Sequence, residues 1–190
     1  MQTELSAINS LLVSIGDTPL NTIDTNNPDV QIAQSYLDIA SIDFQSEGWW
    51  FNRETWDMSL DTSGKQAIPV NCLYVNSSNS YWVKRGQYLY DKENHTYDFT
   101  GQSIDDLSIE LILQLPYDEL PGICFNYIVN MAKMQFLTEL EAELDKAKFT
   151  SAIAQKQYIQ IKRLHLRFSD PVATQTTTAS KLLDGIQMRS

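Results

Sequence analysis

The sequence predicts an α+β fold: a helical bundle built from N- and C-terminal helices, a small antiparallel β module inserted between them, and an extended C-terminal arm. Three observations carry this. Apolar residues recur three and four apart at both ends of the 190-residue chain, which is helical spacing. Between them, residues 49–117 break into short β-prone runs separated by turn residues. After Pro171 comes a Thr-rich stretch, residues 173–180, with too little apolar content to fold alone. Front and back helices need each other to bury their stripes, so residues 1–48 and 118–170 are expected to form the bundle. Residues 49–117 are then the insertion and 171–190 the arm.

The first helix places Leu5, Ile8, Leu11, Leu12 and Ile15 on one face, with Thr3 as cap and Gly16 as the left-handed residue that closes it. Asp17-Thr18-Pro19 turns the chain out. A second helix opens at Asn27-Pro28-Asp29, with Asn as cap, Pro at the first helical position and an acid on the positive end of the dipole. Its stripe is Ala33, Tyr36, Leu37, Ala40 and Phe44, and Gly48 ends it. Strands are expected over residues 50–60, 67–75, 81–84, 87–90, 97–99 and 108–115. Pro69 keeps its strand at an edge or delays its start. A third helix is expected to be capped by Asp118, with Pro121 in its first turn. From Leu137 a second helical pattern runs through Leu144, Ala147, Ala154, Tyr158, Ile161, His165 and Phe168. It is either a separate helix, with a break near residues 139–143, or one long continuation. Asp170-Pro171 stops it, and Leu182, Leu183, Ile186 and Met188 form a small amphipathic piece in the arm.

Charge excludes several functions. The chain carries 14 basic and 24 acidic residues, a net charge of −10. Gripping nucleic acid through phosphates requires Lys and Arg to displace counterions, which this balance opposes. The charge is also uneven: residues 1–60 sum to −8, 61–120 to −5 and 121–190 to +3. Such a dipolar chain is suited to stacking head to tail with copies of itself or with a partner. The first basic residue is Arg53, so neither a secretory nor a transit signal is expected. No apolar run approaches roughly 18 residues, so no spanning helix is expected.

Chemistry is sparse. His95, His165, Cys72 and Cys124 lie far apart with no metal-ligand spacing, and no cofactor is expected. His95 falls in a turn and His165 on a helical stripe, while both cysteines read as reduced packing residues. Ser63-Gly64-Lys65 lacks the upstream glycine of a phosphate loop and is a turn. Among the carboxylates, Asp105, Asp106 and Glu110 are the candidates for an acid–base pair in a glycan hydrolase, which needs two carboxyls roughly 5–9 Å apart with one kept protonated. Eleven of the twenty aromatic residues fall in residues 49–99, too many for so small a module to hide, so some are expected to cover a neighbour. A peptide- or sugar-binding surface is a third reading of the same rings.

Four stretches together resemble the tail tubular protein A family, the head-to-tail adaptors of short-tailed T7-like phages. They are Glu4-Leu5-Ser6-Ala7-Ile8-Asn9 leading to Ser14-Ile15-Gly16-Asp17-Thr18-Pro19-Leu20; Gly48-Trp49-Trp50-Phe51-Asn52; Val83-Lys84-Arg85-Gly86-Gln87-Tyr88-Leu89-Tyr90-Asp91; and Tyr117-Asp118-Glu119-Leu120-Pro121. At Gln87 the family often has a second glycine, and beyond Thr138 the match fades. The resemblance implies a non-enzymatic virion protein, made in the host cytoplasm, whose twelve copies form a ring between the portal and the tail nozzle. Double-stranded DNA would pass through this ring without specific binding, and no membrane is involved. It further implies that the C-terminal arm (Leu182, Leu183, Ile186, Met188, Arg189) docks on the portal. A β surface (Trp82, Lys84, Arg85, Tyr88, Tyr90) would face the nozzle or tail fibres. The acidic balance adds the expectation of a mainly acidic channel wall, along which phosphates slide without settling.

Overall fold

A computed structural model describes residues 2–102, 108–139 and 144–169. Helix α1 (Glu4–Ser14) begins with a reciprocal cap, in which the Thr3 hydroxyl accepts from the Ser6 N–H and the Ser6 hydroxyl accepts from the Thr3 N–H. Gly16, at φ +95°, closes it, and the Asp17 N–H reaches back to the Leu12 carbonyl. The loop after α1 is held to the helix by Asn9, whose amide exchanges two 2.8 Å bonds with the backbone of Leu20. Helix α2 (Pro28–Ser46) starts where expected, with the Asn27 side chain accepting from the Asp29 N–H.

Among the described residues, the middle of the chain holds five strands. These are β1 (Arg53–Asp57), β2 (Cys72–Ser77), β3 (Trp82–Arg85), β4 (Tyr88–Asp91) and β5 (Ser108–Leu113). An antiparallel three-stranded sheet has the order β1-β5-β2, and β3 and β4 form a separate hairpin around Gly86. All pairing is antiparallel. Pro69 lies before β2, so the expected 67–75 strand starts five residues late and Ala67 makes only one bridge, to Tyr88. The expected strand at 50–60 shrinks to β1 because Trp49 and Trp50 serve another layer. The expected strand at 97–99 is absent: Thr96 bridges once to Asp91, and Phe99 drops as a fully buried plug against Trp82.

Helix α3 (Gly122–Glu139) starts later than the Asp118 cap predicts. Residues 117–120 form a turn, and the Pro121 carbonyl accepts from the N–H groups of Cys124 and Phe125. Helix α4 (Leu144–Ser169) is a separate element, in agreement with the two-helix reading. Residues 140–143 of the expected break near 139–143, the carboxylates Asp105 and Asp106, and the arm at 171–190 lie outside the described residues.

Two cores result. The larger gathers Ile8, Leu11, Leu37, Phe44, Ile128, Phe136 and Ile161 from all four helices. It also takes Trp49, with Trp50 and Phe51 packed against it, so these rings serve the helices rather than the sheet. The smaller lies within the β region and includes Val75, Trp82, Leu89, Phe99, Ile109 and Leu111. At 25 cal/mol per Å² of apolar surface, each fully buried Leu, Ile or Phe contributes roughly 1.5–3 kcal/mol to holding its cluster together.

Candidate assembly surfaces

The two cores are joined by a short buried polar junction. Asn52, 1% exposed, accepts from the Trp49 N–H at 2.7 Å and donates to the carbonyls of Gln45 and Leu113, each at 2.8 Å. Gln45 donates to the Leu115 carbonyl at 3.1 Å and to Ser41 at 2.9 Å, and accepts from the Leu115 N–H at 2.8 Å. These bonds fasten the end of α2 to the end of β5, and buried groups of this kind are costly to leave unpaired. Gly48 sits at the corner with φ +71°, and a Cβ there would meet the Ile112 side chain at 2.5 Å. Sequence reading places Asn52 in a motif without a role and passes over Gln45. The available signal is position: Ser41 and Gln45 follow Leu37 at steps of four, so they fall on the buried stripe of α2.

An aromatic shelf ties α4 to this junction. Trp49 stacks on Phe44 at 4.9 Å and meets Tyr158 and His165 edge-on at 5.9 and 5.4 Å. Trp50 stacks on Phe168 at 5.6 Å. His165 is thus a half-buried packing residue, and desolvation, with Arg53 nearby, pushes its pKa down. The Tyr158 hydroxyl donates to Glu47 at 2.7 Å, and burial together with this carboxylate pushes its pKa up to about 12. Between α3 and α4 lies a groove of 380 Å³ lined by Tyr127, Met131, Met134, Ala154, Tyr158 and Ile159.

The β residues singled out in the sequence divide by depth. Trp82 is only 6% exposed and packs on Phe99, which takes it out of any contact surface. Tyr90 is also buried, edge-on to Tyr97 at 4.8 Å, with the Arg85 guanidinium 3.7 Å above its ring. Lys84 donates to the Cys72 carbonyl, while Arg85 and Tyr88 remain exposed, Lys65 lying over the Tyr88 ring. Exposed Trp56, Tyr74 and Tyr81 belong to the same region. Beside them Asp91 is buried, which opposes its charge. Bonds from the Asn94 side chain and backbone, the Glu93 N–H and the Gln102 amide outweigh this and hold its pKa at about 2.

Of the three acid–base candidates, Glu110 is described. It lies on the outer face of β5 and accepts from Arg53 at 3.4 Å and Asn76 at 3.2 Å, a cationic and polar setting unlike the apolar pocket that keeps a catalytic acid protonated. Among the described residues no group of three His, Cys, Asp or Glu side chains is arranged to hold a metal ion. His95 is exposed in its turn, and Cys72 and Cys124 are free and buried. No described helix is long and apolar enough to cross a membrane.

What remains is a molecule of surfaces: an exposed basic helix, an acidic helix and a rim of exposed rings. Comparison with known proteins supplies the context. Residues 5–184 match the model of the family described as tail tubular protein. The chain belongs to the tail tubular protein family. It is also similar to the tail tubular protein A of Klebsiella phage KP34, with 28% identity over 170 residues, covering 86% of this chain and 87% of that protein. It is therefore a structural protein of a phage tail, and a component of the virion.

Proposed function

We propose that this tail tubular protein is an adaptor subunit, whose copies close into a twelve-membered ring joining the portal to the tail nozzle. The ring forms part of the channel through which double-stranded DNA leaves the particle. The observation that carries this reading is the match to the tail tubular protein family along nearly the whole chain. The helical part (residues 1–48 and 118–170) and the arm face the portal, with Leu182, Leu183, Ile186, Met188 and Arg189 as the arm's contacts. The inserted β module (49–117) faces the nozzle or fibres through Lys84, Arg85 and Tyr88, over a base that includes Trp82 and Tyr90. A net charge of −10 supports a mainly acidic channel wall that does not hold DNA. The part played is mechanical rather than catalytic.

Electron microscopy of the purified chain mixed with its cognate portal tests this. A twelve-fold ring beneath the portal is the expected result, and a portal that stays bare overturns the reading. Deleting residues 173–190 should preserve the fold, measured by thermal unfolding, but weaken portal attachment. Attachment equal to that of the full chain would remove the role assigned to the arm.

A further inference from the structure

Helix α4 is unlike the rest of the protein. It carries six basic residues and one acid in a chain of net charge −10, and all six bases are exposed. Its inner face packs on α3 and the Trp49–Trp50 shelf, leaving its outer side uncovered. Phe149, Ile153, Lys156, Gln160, Arg163 and Arg167 succeed one another at steps of three and four, so they share one outward line along this 26-residue helix. Phe149 and Leu166 are each 70% exposed and Ile159 is 53% exposed, whereas Phe168 rests on Trp50. A solvated helix needs no such row of large apolar side chains among its charges.

Helix α2 is the counterpart. It has three acids and no base. Ser35, Ile39, Ile42 and Ser46 form its outward line, with Ile39 49% and Ile42 42% exposed, and Asp38 and Asp43 flank them. The Asp38 carboxyl is pushed up by partial burial and, after that, by Glu4 of α1. Among the described residues no ion pair joins Asp38 or Asp43 to a base, or Lys156, Arg163 or Arg167 to an acid. Within one protomer α3 lies between α2 and α4, so the two faces do not meet.

We propose that they meet between copies: the cationic outer face of α4 in one protomer docks on the acidic, isoleucine-bearing face of α2 in the next. This rests on the ring reading above and names the two faces that close it. Pairing α4 with α4, or α2 with α2, would place like charges together. The contact is therefore head to tail, the kind that propagates around a ring. Duplex DNA would answer the charge of α4 but not its exposed Phe149, Ile153 and Leu166, and it leaves the α2 face unexplained. A second copy answers all of these.

The test uses the full chain with its cognate portal, with ring assembly followed by electron microscopy and sedimentation. Three variants are compared: K156E/R163E, D38K/D43K and the combination of all four. All the altered side chains are exposed, and matching thermal unfolding establishes that each variant folds. Each pair alone should lower ring occupancy at least tenfold, and the combination, which restores opposite charges across the contact, should recover it to within about threefold. Wild-type rings with both pairs assembling normally would overturn the α4–α2 contact while leaving the ring intact. Loss in each pair without recovery in the combination would also overturn it. So would normal assembly coupled to loss of salt-sensitive duplex DNA binding in K156E/R163E, which would give the face to phosphates instead. A wild-type chain that forms no ring on the portal removes the ring reading itself, and this contact with it.

Discussion

Asn52→Ala is a small change expected to be severe at a position remote from the centre of either core. The substitution deletes three buried hydrogen bonds, one accepted from the Trp49 N–H and two donated to the Gln45 and Leu113 carbonyls. Each buried partner left unpaired costs about 1–3 kcal/mol, and the three share a side chain, so the total is about 3–6 kcal/mol rather than their full sum. That is a large part of the roughly 5–15 kcal/mol that holds an ordinary domain folded. For a chain of this size it corresponds to a fall in Tm of about 10–20 °C. Urea unfolding followed by tryptophan fluorescence measures it, since Trp49 lies within the junction. Asn130→Ala is the control: its amide makes a single part-buried bond, to Gln157 at 2.9 Å, and should cost about 1 kcal/mol. If Asn52→Ala cost no more than Asn130→Ala, the junction would not be what couples the helices to the sheet.

Gly48→Ala should cost about 1–2 kcal/mol and exceed Gly86→Ala in a parallel unfolding series, because both glycines have positive φ but only Gly48 faces a close neighbour, Ile112. Asp91 has a folded pKa of about 2, below the ordinary carboxylate value, so its contribution to stability is full above about pH 4 and fades as the pH falls toward 2. Stability measured against pH should therefore lose part of its acid slope in the Asp91→Asn variant. Cys72 and Cys124 are buried, and burial raises both thiols, that of Cys124 to about 12. Neither should react with an alkylating reagent at pH 8 until denaturant is added, as mass spectrometry of the labelled chain would record.

How far the sequence could be read depended on whether a signal was local. The caps at Thr3 and Asn27 and the stop at Gly16 involve residues a few positions apart, and each formed as the pattern predicts. The strands were legible as a group but not at their edges. Pairing is decided by contacts far along the chain, such as Trp56 opposite Ile109. Tyr97–Phe99 had strand-like residues, yet Phe99 contributes more as a plug for the space beside Trp82 than as part of a ladder. Trp82 follows the same logic: an aromatic next to Lys84 and Arg85 reads as a surface ring, and the hairpin folds it inward to 6% exposure. At the start of α3, Asp118 had the right chemistry for a cap, but the turn at 117–120 ends only at Pro121, and the helix waits for it.

The charge asymmetry shows how a weak sequence signal becomes a sharp structural one. Summed over seventy residues, the C-terminal third is only +3, because outside α4 it carries five acids (Glu139, Glu141, Glu143, Asp170 and Asp184) against three bases. Folding separates these contributions. It concentrates six bases on one exposed helix whose inner face is satisfied, and it leaves the acids of α2 beyond α3. Neither helix can neutralise the other within a protomer, yet the distance that separates them is the property a head-to-tail contact requires. Such a contact stays weak in a lone pair, where partly exposed charges are screened at physiological salt. In the proposed ring it would gain strength from many copies held at high effective concentration. The proposed α4–α2 contact would therefore close neighbouring subunits where a template gathers them, and contribute little where copies are dilute.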